Sequence, residues 1–195
     1  MTSTGWCIFK SLKTKNKDYG ILSCGRIITK VEDYKCEDDR LNYICNEIEK
    51  LINQNQISIV LMEEQYVGVN KSIGLLLRKL LGASMRTANN NKCRTEYLQS
   101  TTVRKYLNIT PRTKITFDKN GKEKTANIKV NKEDVALYII NNIIDVGEYN
   151  DGSGKKKTSD IYDAIALGVA YINILRKEDQ HGVKSKKTKS RSKTS

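Results

Sequence analysis

Apolar positions recur along this chain with two periods, and each change of period marks an element. Between Ile57 and Met62 an apolar run, broken only by Ser58 and rich in β-branched side chains, predicts a strand buried on both faces of an α/β sheet. The run stops at Glu63 and Glu64, followed by Gln65 and Tyr66. Upstream, Thr4 to Leu12 and Ile21 to Thr29 read as two strands of a hairpin across the polar turn Lys13 to Gly20. Leu41, Ile44, Ile48, Leu51 and Ile52 recur at helical spacing, predicting an amphipathic helix over about Cys36 to Asn53. Beyond the central strand, Ile73, Leu76, Leu77, Leu80 and Leu81 predict a second helix ending near Gly82.

The alternation at Asn91 to Leu98 predicts an edge strand, and Thr101 to Leu107 a short helix carrying Arg104 and Lys105. Pro111 to Val130 has the pattern of a β-hairpin with Asn-Gly at its turn. Val135, Ile139, Ile140 and Ile143 share one side of a helix over Asn131 to Val146. A loop at Glu148 to Thr158 leads to Ser159, which caps a last helix running to about Leu175. An antiparallel hairpin thus feeds a parallel α/β arrangement, in one domain over residues 1–175. A basic tail over 176–195, rich in Lys, Ser and Thr, is expected to be disordered.

Charge changes the picture next. Net charge is +13, of which the tail holds +6, so body and tail are both basic and point to a polyanionic partner, nucleic acid before membrane. Five cysteines, odd in number and without CxxC spacing, fit a reduced intracellular compartment. No apolar run approaches the ~20 residues of a membrane span, so the protein is expected to be soluble and cytoplasmic. The only histidine, His181, lies in the tail, which excludes a triad or a His-based metal site in the core.

The chemistry left is that of carboxylates. In open α/β sheets reactive groups collect at the carboxyl ends of strands, where Glu63 and Glu64 emerge. A strand that simply reaches solvent would look the same. A second acidic pair, Asp160 and Asp163, is three residues apart on one helix face; Asp160 also suits the helix dipole, which is a structural reason for it. The opposite face, Ile161, Ala164, Ile165, Gly168 and Ile172, is small enough to lie close on a sheet and aim both aspartates at the strand end. Three converging carboxylates need cations, and oxygen ligands alone suit Mg²⁺ or Mn²⁺. With a basic surface, that chemistry is two-metal phosphodiester hydrolysis.

Taken together, the order and spacing of TGWCIF, ISIVLMEEQY and DIYDA resemble the RuvC-type Holliday junction resolvases, including their phage and large-DNA-virus branches. The resemblance covers most of Thr4 to Leu175 and implies a ribonuclease H-like mixed sheet flanked by helices. It implies catalytic and metal-ligating roles for Glu63, rather than Glu64, with Asp160 and Asp163 of the DxxDA motif, and two Mg²⁺ ions per site. It also implies DNA contacts from Tyr66, Asn70, Arg104, Lys105 and Lys132, four-way DNA junctions as substrate, and a homodimer. Family members begin with a strand ending in a metal-bridging aspartate, about six residues before the Thr-Gly pair. Here Thr4 and Gly5 follow three residues, so that first strand and its aspartate are expected to be missing. Asp18, the first acid, sits roughly 20 Å away at the far end of the hairpin and cannot substitute. The leading expectation is a junction-resolving endonuclease, whose truncated form is a poor or inactive nuclease. The alternatives are a catalytically dead junction-binding protein and a ribonuclease H-like nuclease acting on flaps or RNA–DNA hybrids.

Overall fold

The computed structural model describes residues 3–10, 19–64, 71–109, 111, 113–119, 122–127, 130–144, 146 and 159–191, with backbone alone at 71, 126, 127, 159 and 180–191. In chain order the elements are strands β1 (Ser3–Phe9) and β2 (Ile21–Ile28), helix α1 (Glu37–Asn55), strand β3 (Ile59–Glu63), helix α2 (Lys71–Asn90) and strand β4 (Arg94–Leu98). There follow helix α3 (Ser100–Tyr106), strands β5 (Thr113–Phe117) and β6 (Glu123–Asn127), helix α4 (Lys132–Asn142) and helix α5 (Ser159–Arg191). The described strands form three two-stranded ladders: β1 with β2 antiparallel, β3 with β4 parallel, β5 with β6 antiparallel.

Strand alternation divides β1 and β2 between two layers of helices. Cys7, Phe9 and Cys24 pack into the largest core cluster, which is built on Ile161, Ile165 and Val169 of α5 with Val103, Leu107, Val135 and Ile139. Trp6 and Ile27 face the other way, onto Leu41, Ile44 and Leu80 of α1 and α2. The same division governs β3, where Val60 and Met62 pack with Ile52, Ala88 and Cys93. Polar ties then fix α5: the Arg94 guanidinium donates to the Tyr171 hydroxyl (2.8 Å), Tyr19 donates to Asn173 (3.2 Å), and Asn173 donates to the Tyr106 carbonyl (3.1 Å). No described helix is long and apolar enough to cross a membrane.

Several elements depart from the expected bounds. The central strand begins at Ile59 and is half-buried rather than enclosed on both faces, and β4 is its one ladder partner among the described residues. Helix α2 passes through Gly82, where a Cβ would meet nothing within 4 Å, so this glycine neither packs nor stops the helix. It closes instead where the Cys93 N–H donates to the Ala88 carbonyl (3.0 Å) and Lys92 takes a positive φ of 59°. Helix α4 stops at Asn142, short of Val146. Helix α5 continues past Leu175 to Arg191, since Lys, Arg and Glu propagate a helix as readily as its apolar part. The expected loop over 148–158 lies outside the described residues.

Candidate active site

Parity along β3 decides which glutamate points where. Val60 and Met62 are committed to the α1 and α2 side, so Glu63, one step further, turns to the α5 side at the carboxyl end of the strand. There it shares a cavity of about 110 Å³ with Ser100, Val103 and Arg104 of α3, Lys132 and Val135 of α4, and Asp163, Ala166 and Leu167 of α5. Glu64 lies beyond the strand end; its N–H donates to the Leu98 carbonyl (2.9 Å), and its side chain does not line the cavity.

The amino ends of α4 and α5 meet at this cavity, beside that of α3 at Ser100. Helix α4 starts at a capping box: Asn131 Oδ1 accepts from the Asp134 N–H (2.9 Å), and Asp134 Oδ2 accepts from the Asn131 N–H (3.0 Å). That lock places Lys132 in the first helical position. Its Nζ lies 2.9 Å from Asp163 Oδ2 and 3.4 Å from Asp160 Oδ1, so one ammonium bridges both aspartates of α5. Asp160 sits in the first turn of α5, where the helix dipole favours its charge.

Glu63 is exposed by area, yet the surrounding protein withholds enough water to raise its pKa above 4.5. The nearby Asp163 charge pushes it the same way, while Lys132 and Arg104 offset part of the rise. For Lys132, desolvation of the ammonium lowers the pKa, but hydrogen bonds and charge from Asp163 and Asp160 outweigh it and the net shift is upward. The ammonium is therefore fixed in its charged state by the acids it bridges.

Of the site residues expected from the sequence, Glu63, Asp160, Asp163, Arg104 and Lys132 come together here. Lys105 does not; its ammonium lies 5.8 Å from the Tyr106 ring centroid. Tyr66 and Asn70 fall outside the described residues. The contact between Lys132 and the aspartates was not foreseen from the sequence, although the Asn131–Asp134 spacing of a capping box was legible there. Among the described residues no three His, Cys, Asp or Glu groups draw close enough to hold a metal ion. The donor set still suits a hard divalent cation, because it is oxygen alone and two of its carboxylates already converge on one cationic nitrogen.

No family model matches the sequence. The chain is 24% identical over 172 residues to the crossover junction endodeoxyribonuclease RuvC of Ehrlichia ruminantium, in both the Gardel and Welgevonden strains, covering 88% of this chain and 91% of theirs. A Thermus thermophilus RuvC structure superposes with a TM-score of 0.63 at 16% identity over 91% of each chain. Thermus thermophilus RuvC in complex with a Holliday junction substrate superposes with a TM-score of 0.56 at 15% identity over 80% of each. The fold is the ribonuclease H-like fold of RuvC.

Proposed function

We propose that this chain is a RuvC-type resolvase, a structure-selective endonuclease that acts on four-way DNA junctions as a homodimer. The observation that carries the reading is the bridged aspartate pair, Asp160 and Asp163, set beside Glu63 at the carboxyl end of β3 in a RuvC fold. The RuvC family is metal-dependent, and Glu63, Asp160 and Asp163 are the residues that would hold Mg²⁺ or Mn²⁺, two ions per site. Bound there, such ions supply an activated water and neutralise charge on the leaving oxygen. The chain's own part is to gather anionic oxygens at the amino ends of α4 and α5, and to line the approach with Arg104 and Lys132 for backbone phosphate. Tyr66, Asn70 and Lys105 complete the proposed DNA contacts.

A second reading is a junction-binding protein of the same fold without cleavage. It is favoured by the absence, among the described residues, of any cluster of three ligands close enough for a metal. One experiment separates the two: a labelled synthetic four-way junction is incubated with the protein and Mg²⁺, beside linear duplex, flap and RNA–DNA hybrid. Symmetrical nicks across the junction, lost in Asp163→Asn while binding persists, support the nuclease. Tight junction binding with no nick under Mg²⁺ or Mn²⁺ selects the second reading, and a preference for flap or hybrid overturns both.

A further inference from the structure

The ammonium that bridges Asp160 and Asp163 occupies oxygens that a divalent cation would need. Lys132 is held by charge at 2.9 and 3.4 Å from the two aspartates, with the Glu63 carboxylate nearby, and its side chain is 63% exposed. Its backbone is locked by the Asn131–Asp134 capping box, whereas the four-carbon stem beyond the lock is flexible. A hard cation binding both aspartates meets this ammonium at ion-pair distance. The like charges repel, and the flexible partner is the one that leaves. Arg104 lines the same cavity, so a displaced Lys132 stays on a rim that already faces anions.

We propose that Lys132 is a placeholder cation, which holds the aspartate pair until a divalent cation replaces it and then turns its ammonium to backbone phosphate. Metal and DNA binding are thereby coupled through one side chain, and the coupling is reciprocal. The inference rests on the proposed function for the identity of Asp160 and Asp163 as ligands. It adds that affinity for the ion is set by an internal competitor.

The test uses the full chain and two variants, Lys132→Gln and Lys132→Arg. Free Mn²⁺ is followed by its electron paramagnetic resonance signal in the absence of DNA. Lys132→Gln should bind Mn²⁺ on the order of tenfold more tightly than the parent, the effect of removing one positive charge beside a divalent ion at a partly exposed site. Lys132→Arg keeps the charge and should bind as the parent does. Junction binding is then measured at matched ionic strength in EDTA and in Ca²⁺. The parent should bind more tightly than Lys132→Gln in EDTA, because the variant leaves the aspartate pair uncompensated beside phosphate, and the gap should widen several-fold in Ca²⁺. Mn²⁺ affinity that is unchanged or weaker in Lys132→Gln, or an equal gap in EDTA and Ca²⁺, overturns the placeholder role. If the parent binds Mn²⁺ and cuts junctions, that failure leaves the proposed function standing. If neither protein binds Mn²⁺, the placeholder and the metal site fall together.

Discussion

Glu63 and Glu64 are adjacent, chemically identical and differently placed. Glu63 faces Asp163 across the cavity, and Glu64 has already left the strand. In a form that cleaves junctions with Mg²⁺, Glu63→Gln, Asp160→Asn and Asp163→Asn should therefore each abolish the cleavage while sparing most of the binding, since phosphate affinity comes from Lys and Arg. Glu64→Gln should keep most of the activity, and the reverse order would shift the strand register by one. Glu63 also leaves a mark on stability. Desolvation and Asp163 raise its pKa above 4.5, so between the unfolded and folded values the native state holds more protons than the unfolded chain. Its contribution is most favourable below the unfolded value and declines as pH rises through the folded one; at neutral pH the ionised carboxylate is a net cost. In EDTA at pH 7, Glu63→Gln should raise the melting midpoint, and the gain should vanish once the pH falls below the carboxyl's unfolded value. Calorimetry at pH 7 and below that value checks the sign, and a variant that is less stable at pH 7 would show the site to be fully compensated.

Among the elements, the geometry of the carboxylates depends on how closely β1 approaches α5. A Cβ at Gly5 would overlap the Asp160 carbonyl, and one at Gly168 would run into the Phe9 ring. Gly5 abuts the backbone of the turn that carries Asp160 and leads to Asp163, and backbone gives way less readily than the end of a side chain. Gly5→Ala should consequently cost about 1–3 kcal/mol of stability by overpacking. It should also depress cleavage although no carboxylate is altered. Urea unfolding combined with the junction assay tests this; full activity and stability in Gly5→Ala would mean that strand and helix can separate without disturbing the site. The helix α4 capping box plays the matching part on the other side, fixing the start of the helix from which Lys132 reaches the aspartates.

Across the molecule, a net charge of +13 shared by body and tail makes phosphate affinity a distributed property. Deleting residues 184–195 should weaken junction binding without changing which DNA structures are preferred. The slope of log K against log salt should become shallower by about 0.9 for each phosphate that the tail neutralises. Binding titrations at several salt concentrations read this directly, and an unchanged slope would mean that the tail neutralises none.

The elements and the chemistry available to them were legible in the residue order. Period-two and helical spacing located β1, β2, α1, β3 and α3 to within a few residues, because each buries a face whose periodicity is local. The β5–β6 hairpin was located by its alternation and Asn-Gly turn, although most of its described side chains stay exposed. Residue types restricted the site to carboxylates, through the absence of histidine from the core and the lack of paired cysteines. Helix ends were less legible, since Gly82 inside α2 stops a helix only when nothing beyond it packs, and the segment that follows places Ala88 against Ile52 and Cys93. The half-burial of β3 was hidden as well, because an apolar run records what a strand can bury and the elements packed on its faces decide what it does bury. That Lys132 bridges Asp160 and Asp163 emerged only on folding. Their separation along the chain is closed by the packing of α4 on α5, and a charge so distant in sequence leaves no periodic trace.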